Sequence, residues 1–474
     1  MQNTINDTEK QLFSDERINS AQAILVASPI KNKKVCIDFC EDKLSTDTGL
    51  LLLKEIEQQI GIIDGLDSVI TDNRNQSYID HTHKELLTQR IFQIAAGYED
   101  AIDCNTLRND PIFKMCLGKL PETDPALASQ PTMTRFENSV GVKTAYKLAQ
   151  VFFDGFIKSY TEEPKIIVID ADDTDCTGHG NQEGLFYNDY YGEKCYMPLL
   201  IFEGLSGKLI TSILKPGRRL KTGSFTSIVK RIIQQIRQHW KSTIIVFRGD
   251  SHFCSPELMQ LIDKEADTYY VTGLTGNSKL YKIVKGKLNE AKERYEAKEL
   301  FNKNQNLKKT EKVKLYHTFY YQAGSWESAK RVVAKIEYNE KGKNIRFVVS
   351  NFENVKATTL YEDIYCKRGE MELFIKNHKT YLKSSRTSCH SFFANQFRVF
   401  LHSAAYVLLH SLQKEVLKGT EFAHCTMQTL QFKLLKIASR VKEMKTKINL
   451  FLPQSYPYNN IFTKALEMFA VLRN

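Results

Sequence analysis

Three carboxylates occupy positions suited to metal-dependent chemistry on a phosphodiester. Asp172 and Asp250 lie at the ends of two stretches rich in β-branched residues, PKIIVIDADDT and STIIVFRGD, and Glu372 lies in a later helical stretch. Strands that end at one edge of a sheet bring their last side chains together. Clustered carboxylates supply the hard oxygen ligands that magnesium prefers, and such ions serve phosphoryl transfer. The three residues therefore predict a divalent-metal site.

The spacing leaves the first of these ligands open between two aspartates. In IDADDTD the side chains of a strand alternate, so Asp170 and Asp172 point to one face and Asp173 to the other. The alternative for the whole cluster is an acidic loop that faces solvent and binds no metal.

A second pattern surrounds the glutamate. Tyr365, Arg368, Glu372 and Lys379 have the spacing Y-x2-R-x3-E-x6-K. In one continuous α-helix the other three side chains would lie within roughly 40° of Glu372, on a single face. A carboxylate that binds metal, beside two cations and a phenol that bind phosphates, suits a DNA substrate. The alternative is an exposed salt-bridged face, because Arg368 and Glu372 are four residues apart.

A mixed α/β fold is predicted to position these residues. Buried strands and amphipathic helices follow one another from Pro164 onward. The stretch SFTSIVKRIIQQIRQHW predicts a helix with Ile228, Ile232, Ile236 and Trp240 on one stripe. Ser255-Pro256 predicts a helix start with serine as the cap, and STDTGLLLLKEIEQQIG predicts another capped helix.

The length of 474 residues requires several structural units. The helical text before residue 160 suits a module that docks on DNA in helix-turn-helix style, and the alternative is that these helices only pack together. The predicted division has five parts: a mainly helical DNA-binding region at 1–160, a first core part at 161–275, a β-rich insertion at 276–352, a second core part at 353–412, and a C-terminal region at 413–474 for dimerisation or DNA contact.

A formal charge of +11 suits a polyanionic partner such as nucleic acid. One basic run contains no Asp or Glu and predicts a track for phosphates, with a solvated basic surface as the alternative. Arg248, which precedes the second metal ligand by two residues, is predicted from this run to bind DNA. The run consists of ten residues: Lys208, Lys215, Arg218, Arg219, Lys221, Lys230, Arg231, Arg237, Lys241 and Arg248.

Cysteine usage and hydropathy predict an intracellular protein. The ten cysteines are scattered, no CxxC pair exists to start a zinc site, and a chain of this size needs no disulfide framework. The first residues are polar and acidic, unlike a signal peptide. The most apolar late stretch, at 399–409, is too short to span a bilayer.

The sequence resembles the DDE transposases of bacterial insertion sequences, in the branch with the tyrosine–arginine–glutamate–lysine motif, and within it the insertion-sequence thirteen-eighty group. In this family the first aspartate has a D-x-T context, and Asp172-Asp173-Thr174 therefore favours Asp172 over Asp170. The second aspartate falls on Asp250 and the glutamate on Glu372. The resemblance extends over nearly the whole chain, through STDTGLLLL, QRIFQIAAGYEDAIDCNTLRNDP, LASQPTMTRFEN, GNQEGLFYNDYYGEKCYMPL, RGDSHFCSPELM and FFANQFRVFLH.

The resemblance implies an RNase H-like catalytic core, interrupted by a β-rich insertion before the glutamate helix. It also implies cut-and-paste transposition with two Mg²⁺ ions, or Mn²⁺ as a substitute, end cleavage through a DNA hairpin, and strand transfer. The implied partners are double-stranded DNA, as element ends and target, and a second copy of the chain in a homodimer. The implied location is the bacterial cytoplasm, at the nucleoid.

Trp326 in GSWES matches the position at which related enzymes stack an extruded base. Its alternative is an ordinary place in the core. Two other activities compete with the active transposase: a DNA-binding descendant that has lost catalysis, and a nuclease that cuts without rejoining. The presence of all three carboxylates favours the active enzyme, and the separation from a nuclease depends on the resemblance.

Overall fold

An eight-stranded mixed sheet forms the centre of the computed structural model, which describes residues 25–37, 43–218, 224–307 and 309–473. The strand order is β12-β13-β14-β11-β10-β4-β8-β9. The strands are β1 (Leu25–Ile30), β2 (Lys33–Ile37), β3 (Lys43–Ser45), β4 (Ile166–Asp173), β5 (Cys176–Thr177), β6 (Phe186–Asn188), β7 (Glu193–Tyr196), β8 (Leu199–Glu203), β9 (Leu209–Ile213), β10 (Ile244–Gly249), β11 (Thr268–Leu274), β12 (Val313–Tyr321), β13 (Lys330–Asn339), β14 (Gly342–Ser350), β15 (Ser439–Glu443) and β16 (Ile448–Phe451).

Helices cover the sheet and form a second layer beside it. Several helical stretches depart from α geometry: turns of 3₁₀ type lie at Gln76–Tyr78, Ser251–Phe253 and Cys366–Gly369, and turns of π type at Thr359–Tyr365, Asn377–Tyr381, Leu412–Val416 and Gln431–Leu435. The α-helices are α1 (Leu50–Ile60), α2 (Ile62–Val69), α3 (His83–Ala95), α4 (Asp103–Leu107), α5 (Pro111–Cys116), α6 (Gln130–Glu137), α7 (Val142–Lys158), α8 (Ser224–His239), α9 (Pro256–Asp263), α10 (Ser278–Ile283), α11 (Lys285–Asn304), α12 (Glu370–Lys376), α13 (Phe392–Ser411), α14 (Met427–Leu430) and α15 (Asn459–Arg473).

The middle of the sheet determines where the two strand-end aspartates lie. β4, β10 and β11 are parallel neighbours, with Arg248 directly beside Asp170 in the register. Because parallel strands end at one edge, β4 and β10 deliver Asp172 and Asp250 to the same edge of the sheet.

Two large hydrophobic cores hold the fold together. One lies under the sheet and includes Ile169 of β4, Phe247 of β10 and Ile236 of α8. The other joins the N-terminal helices to the C-terminal part of the chain around α13. Nearly every side chain of α13 is buried because other elements pack on all its sides, and its buried polar groups are bonded, as Arg398 is to Glu137. The apolar stretch around 397–412 is therefore core.

The mixed α/β architecture and its key elements are confirmed. The two buried strands before Asp172 and Asp250 form β4 and β10. In α8 the predicted stripe turns inward, with Ile232, Ile236 and Trp240 buried. The side chain of Ser255 accepts the backbone N–H of Leu258 and so caps α9.

Other local predictions are wrong. α1 follows Gly49 and has no side-chain cap, because the hydroxyl of Thr48 donates instead to Ser439 across the fold. A side chain at Gly49 would collide with the backbone of Leu434, so the close approach of two segments decides this helix start. Leu25–Ile30 forms a strand that pairs antiparallel with Lys33–Ile37.

The segment from 276 to 352 is only partly β structure. Its first part forms α10 and the 20-residue α11, which is held by ion pairs such as Arg294–Glu290 along its exposed face. Its strands β12, β13 and β14 extend the central sheet, because β14 pairs antiparallel with β11. The five-part division of the chain remains a prediction. No described helix is long and apolar enough to cross a membrane.

Candidate functional site

Asp172 lies near the end of β4 with about a fifth of its side chain exposed. Burial raises the pKa of its carboxyl group from 3.8 to about 6; the charge of Arg368 lowers this pKa and the charge of Asp250 raises it. Oδ2 of Asp172 is 2.7 Å from Nη2 of Arg368. The two strand-end aspartates therefore lie close enough for the charge of Asp250 to act on Asp172.

Each carboxylate in the acidic stretch from Asp170 to Asp175 is paired with a cation from a different part of the chain. The shortest N–O distances of these pairs lie between 2.6 and 2.7 Å. A negative cluster of this density is costly unless neighbouring positive charges offset the repulsion. The pairs are Asp170–Arg248, Asp172–Arg368, Asp173–Lys215 and Asp175–Lys379.

Asp250 begins the short turn after β10. Its Oδ1 accepts the backbone N–H of His252 at 2.8 Å, and its Oδ2 lies 3.2 Å from Nδ1 of His252. The carboxyl group is about one third exposed. It lines a cavity of about 490 Å³ together with Tyr365, Tyr361, Arg346 and Phe347. The site thus opens directly into a space large enough for part of a substrate.

The segment with the tyrosine, arginine, glutamate and lysine is not one continuous α-helix. It runs from a π turn that ends at Tyr365, through a 3₁₀ turn that contains Arg368, into α12 and then into a second π turn that contains Lys379. Three of the four side chains still reach the site: Tyr365 lines the cavity, Arg368 binds Asp172, and Lys379 binds Asp175 at 2.7 Å. The fourth, Glu372, is exposed on α12.

The residues fit a divalent metal in part. Asp172 and Asp250 offer hard oxygen ligands, and the buried Asp172 needs a cation beside it to stay ionised, a need that Arg368 meets. Among the described residues, no set of three His, Cys, Asp or Glu side chains is placed to hold a metal ion. Glu372 therefore does not join the two aspartates in this conformation.

Two residues predicted to bind DNA lie in the interior. Arg248 is buried; Nε and Nη2 bind both oxygens of Asp170, and Nη1 donates to the carbonyl of Ile364 at 2.8 Å. Trp326 is 7% exposed and packs edge-on against Tyr321, with ring centroids 5.6 Å apart. Neither placement supports the predicted contact with DNA, because these groups are already covered and satisfied.

The basic run is divided among different partners. Lys208 donates to the carbonyl and hydroxyl of Ser159, and Arg237 donates to the backbone carbonyls of Thr243 and Ala266. Arg219 and Lys221 lie outside the described residues. Lys230, Arg231 and Lys241 are exposed. The run therefore supplies structural cations as well as a solvent-facing set.

Two residues join the acidic cluster without a sequence pattern that assigns them to it: Asp175, and Lys215, which was predicted only as part of the basic run. Asp175 lies two residues beyond the strand, in the loop where a strand pattern no longer predicts direction. Lys215 comes from the far side of the β8–β9 hairpin, and its contact with Asp173 depends on the pairing of β4 with β8. The register of this hairpin, if predicted from the sequence, would have placed Lys215 beside Asp173.

Comparison with known proteins gives the family. The model of the family "Transposase DDE domain group 1" matches residues 27–474. The chain belongs to this transposase family. A piggyBac transposase synaptic complex with hairpin DNA is a similar solved structure, at 10% identity and a TM-score of 0.42, over 90% of this chain and 82% of that chain. No curated protein matches the sequence.

Membership defines the class of chemistry for this transposase. Enzymes of the DDE type cleave and transfer DNA strands, and they generally use divalent metal ions. DNA is therefore the substrate class of the family to which this chain belongs.

Proposed function

We propose that this transposase catalyses metal-dependent cut-and-paste transposition, with Asp172, Asp250 and Glu372 as ligands of two Mg²⁺ ions and Mn²⁺ as a substitute. The observation that carries this proposal is the convergence of Asp172 and Asp250 at the ends of adjacent parallel strands. The RNase H-like character of the core and the kinship with the bacterial insertion-sequence thirteen-eighty group belong to the same proposal.

The chain's own residues prepare the phosphodiester for attack. When bound, the divalent ions stabilise the charge that develops on the attacking and leaving oxygens. When DNA binds, Arg368 leaves Asp172 and Lys379 leaves Asp175, and both cations bind DNA phosphates instead. The exchange is possible because carboxylates and phosphates both offer anionic oxygens. Tyr365 donates its phenolic hydroxyl to a phosphate from the wall of the cavity.

One site serves every chemical step, because each step is an in-line phosphoryl transfer with a different nucleophile. Water first attacks at the element end. The freed 3′-hydroxyl then attacks the opposite strand to give a hairpin, water opens the hairpin, and the end is joined to target DNA. In each step the bond to the attacking oxygen forms as the bond to the leaving 3′-oxygen breaks.

Completion of the carboxylate set requires a change in the segment from 359 to 381. Turns of π and 3₁₀ type lie on both sides of α12, and such irregular turns are common at functional sites. Conversion of either turn to α geometry rotates α12 relative to β4. We propose that this rotation brings Glu372 to Asp172 and Asp250.

A cleavage assay tests the proposal. Purified wild type is incubated with its own element-end DNA and magnesium, beside Asp250→Ala, Glu372→Ala and the control Glu370→Ala. Glu370 is exposed on the same helix and pairs with Lys367, so its loss removes the same charge without a ligand. We expect wild type and the control to nick and join, and the other two to bind without cutting. Cutting by Asp250→Ala or Glu372→Ala would show that the site assignment is wrong.

A second candidate function is a DNA-binding descendant without catalysis. The observation in its favour is that Glu372 does not join the two aspartates among the described residues. Wild type that binds element ends and never cuts, even with manganese, would establish this function instead. The homodimer with two element ends is tested in the same material by the mass of the DNA complex.

A further inference from the structure

Two neighbouring helices present an exposed basic surface, to which the predicted basic run contributes Lys230 and Arg231 and a second helix adds two lysines. They are α7, from Val142 to Lys158, and α8, from Ser224 to His239. The guanidinium of Arg231 on α8 lies 4.1 Å from the ring centre of Tyr146 on α7. Gln235 donates to Gln150 one turn further along. Because both contacts advance by four residues on each helix, α7 and α8 run side by side in the same direction.

Four cations in the first halves of the two helices are exposed: Lys143, Lys147, Lys230 and Arg231. Lys143 and Lys147 are one turn apart and share a face of α7. No carboxylate of the described residues lies within ion-pair distance of any of the four, whereas the cations at the ends of β4 and β10 are paired. We call this set the α7–α8 surface.

The surface has no acidic side chains of its own. α8 contains no Asp or Glu, and the only acidic residue of α7 is Asp154, beyond the four cations and bonded to Gln150. Neighbouring positive charges without carboxylate partners repel one another, and binding of an external anion relieves this repulsion. The surface therefore differs from α11, where Arg294 and Lys303 are paired with glutamates of the same helix.

The direction of the helices places the surface beside the catalytic edge. α8 is followed after a short connection by β10, and α7 by β4. A helix that feeds a strand through a short connection runs opposite to it, so the first turns of both helices lie toward the ends of β4 and β10. The four cations lie in the first half of each helix. DNA positioned for cleavage beside Asp172 and Asp250 would thus extend over these four cations.

We propose that the α7–α8 surface binds the phosphate backbone of double-stranded DNA that extends beyond the cleavage site. This inference rests on the proposed function, which supplies the path of the DNA. The surface itself is a feature of the structure and does not depend on that function. The contact with phosphates is independent of base sequence, because lysine and arginine bind the phosphate backbone through its charge. Tyr146 holds Arg231 in place by a cation–π contact.

The salt dependence of DNA binding tests the surface. The full-length chain is titrated with a labelled duplex of arbitrary sequence at several salt concentrations. The variant carries Lys143→Gln, Lys147→Gln, Lys230→Gln and Arg231→Gln. Its matched control carries Lys292→Gln, Arg294→Gln, Lys298→Gln and Lys303→Gln on α11 and loses the same charge. We expect the slope of log K against log salt to fall by about three to four for the surface variant, at about 0.9 per phosphate contact, and to stay unchanged for the control.

Two outcomes would overturn the proposal: an equal fall in both variants, which would mean a general charge effect, or no fall in either. A photo-activatable residue in place of Lys147 supplies a test that needs no multiple variant. We expect it to cross-link the duplex, and the same group in place of Lys298 not to; cross-linking at both positions or at neither contradicts the surface. Wild type that binds DNA through this surface and never cleaves would refute the proposed function alone.

Discussion

Arg368 holds Asp172 through a direct ion pair, with Nη2 2.7 Å from Oδ2. The arginine lies in a 3₁₀ turn, and the aspartate lies at the end of the strand that neighbours β10. One residue predicted to bind phosphate thus serves as the countercharge for the residue predicted to bind metal. The ionisation of the carboxylate therefore depends on a group nearly two hundred positions away in the chain.

The pH dependence of cleavage should report this pair. Burial raises the pKa of Asp172 to about 6, and Arg368 favours the charged carboxylate. Because a protonated carboxyl group is a poor metal ligand, kcat/KM for cleavage, which reports the ionisation of the DNA-free enzyme, should fall as pH decreases through about 6 in the wild type. Arg368→Gln removes the charge that lowers this pKa, so we expect its acidic limb to move to higher pH in a pH–rate profile. Arg368→Lys, which keeps the charge, should shift the limb less, and identical profiles for all three proteins would contradict the role of the pair.

The buried pair of Arg248 and Asp170 should behave as structure and not as a phosphate contact. Loss of one partner leaves the other charge buried, and Arg248→Met should lower the free energy of unfolding by about 3–5 kcal/mol in urea titrations. The double variant Arg248→Met/Asp170→Leu should recover much of this loss. If Arg248→Met keeps its stability and instead lowers the salt slope of DNA binding, the sequence-based prediction of a phosphate contact is correct.

Glu57 should make the fold less stable as pH rises. Burial raises its pKa from 4.5 to about 7, and Oε2 has no hydrogen-bond partner while Oε1 accepts the N–H of Ile63. Since the folded pKa lies above the unfolded value, its contribution is fully present below pH 4.5 and is lost as pH rises to about 7. Glu57→Gln should therefore gain on the order of 3 kcal/mol over the wild type across this window. Urea titrations from acid to neutral pH measure it, and a constant difference between the two proteins would exclude the mechanism.

Trp326 should respond to substitution as a core residue. It packs on Tyr321 beside Met259, and Trp326→Phe leaves a gap that should cost about 1–3 kcal/mol of unfolding free energy. Affinity for element-end DNA should stay the same. A variant with wild-type stability and weakened binding or cleavage of DNA would support the stacked base instead.

The amino-acid sequence determined the type of each main element around the site. β-branched runs that end in Asp172 and Asp250 predict buried strands, because their apolar side chains are stable only when they are buried in the core. The stripe that ends at Trp240 predicts α8, because a period of 3.6 residues puts its members on one side of a helix. The family motifs selected Asp172 over Asp170, a choice that the alternation of the strand left open.

Only the tertiary structure decided the partners of the charged residues. A sequence shows that Arg248, Arg368 and Lys379 are cations, but not which carboxylate each one meets. The register of β4 with β10 places Arg248 beside Asp170, and the packing of the segment from 359 to 381 against the sheet brings Arg368 and Lys379 to Asp172 and Asp175. Residue spacing predicts which side chains share a helix face only while the helix keeps regular α geometry. Packing introduces π and 3₁₀ turns around α12, which is why Glu372 lies apart from the aspartates while Arg368 reaches them. The basic α7–α8 surface likewise exists only because folding brings Tyr146 and Arg231 together.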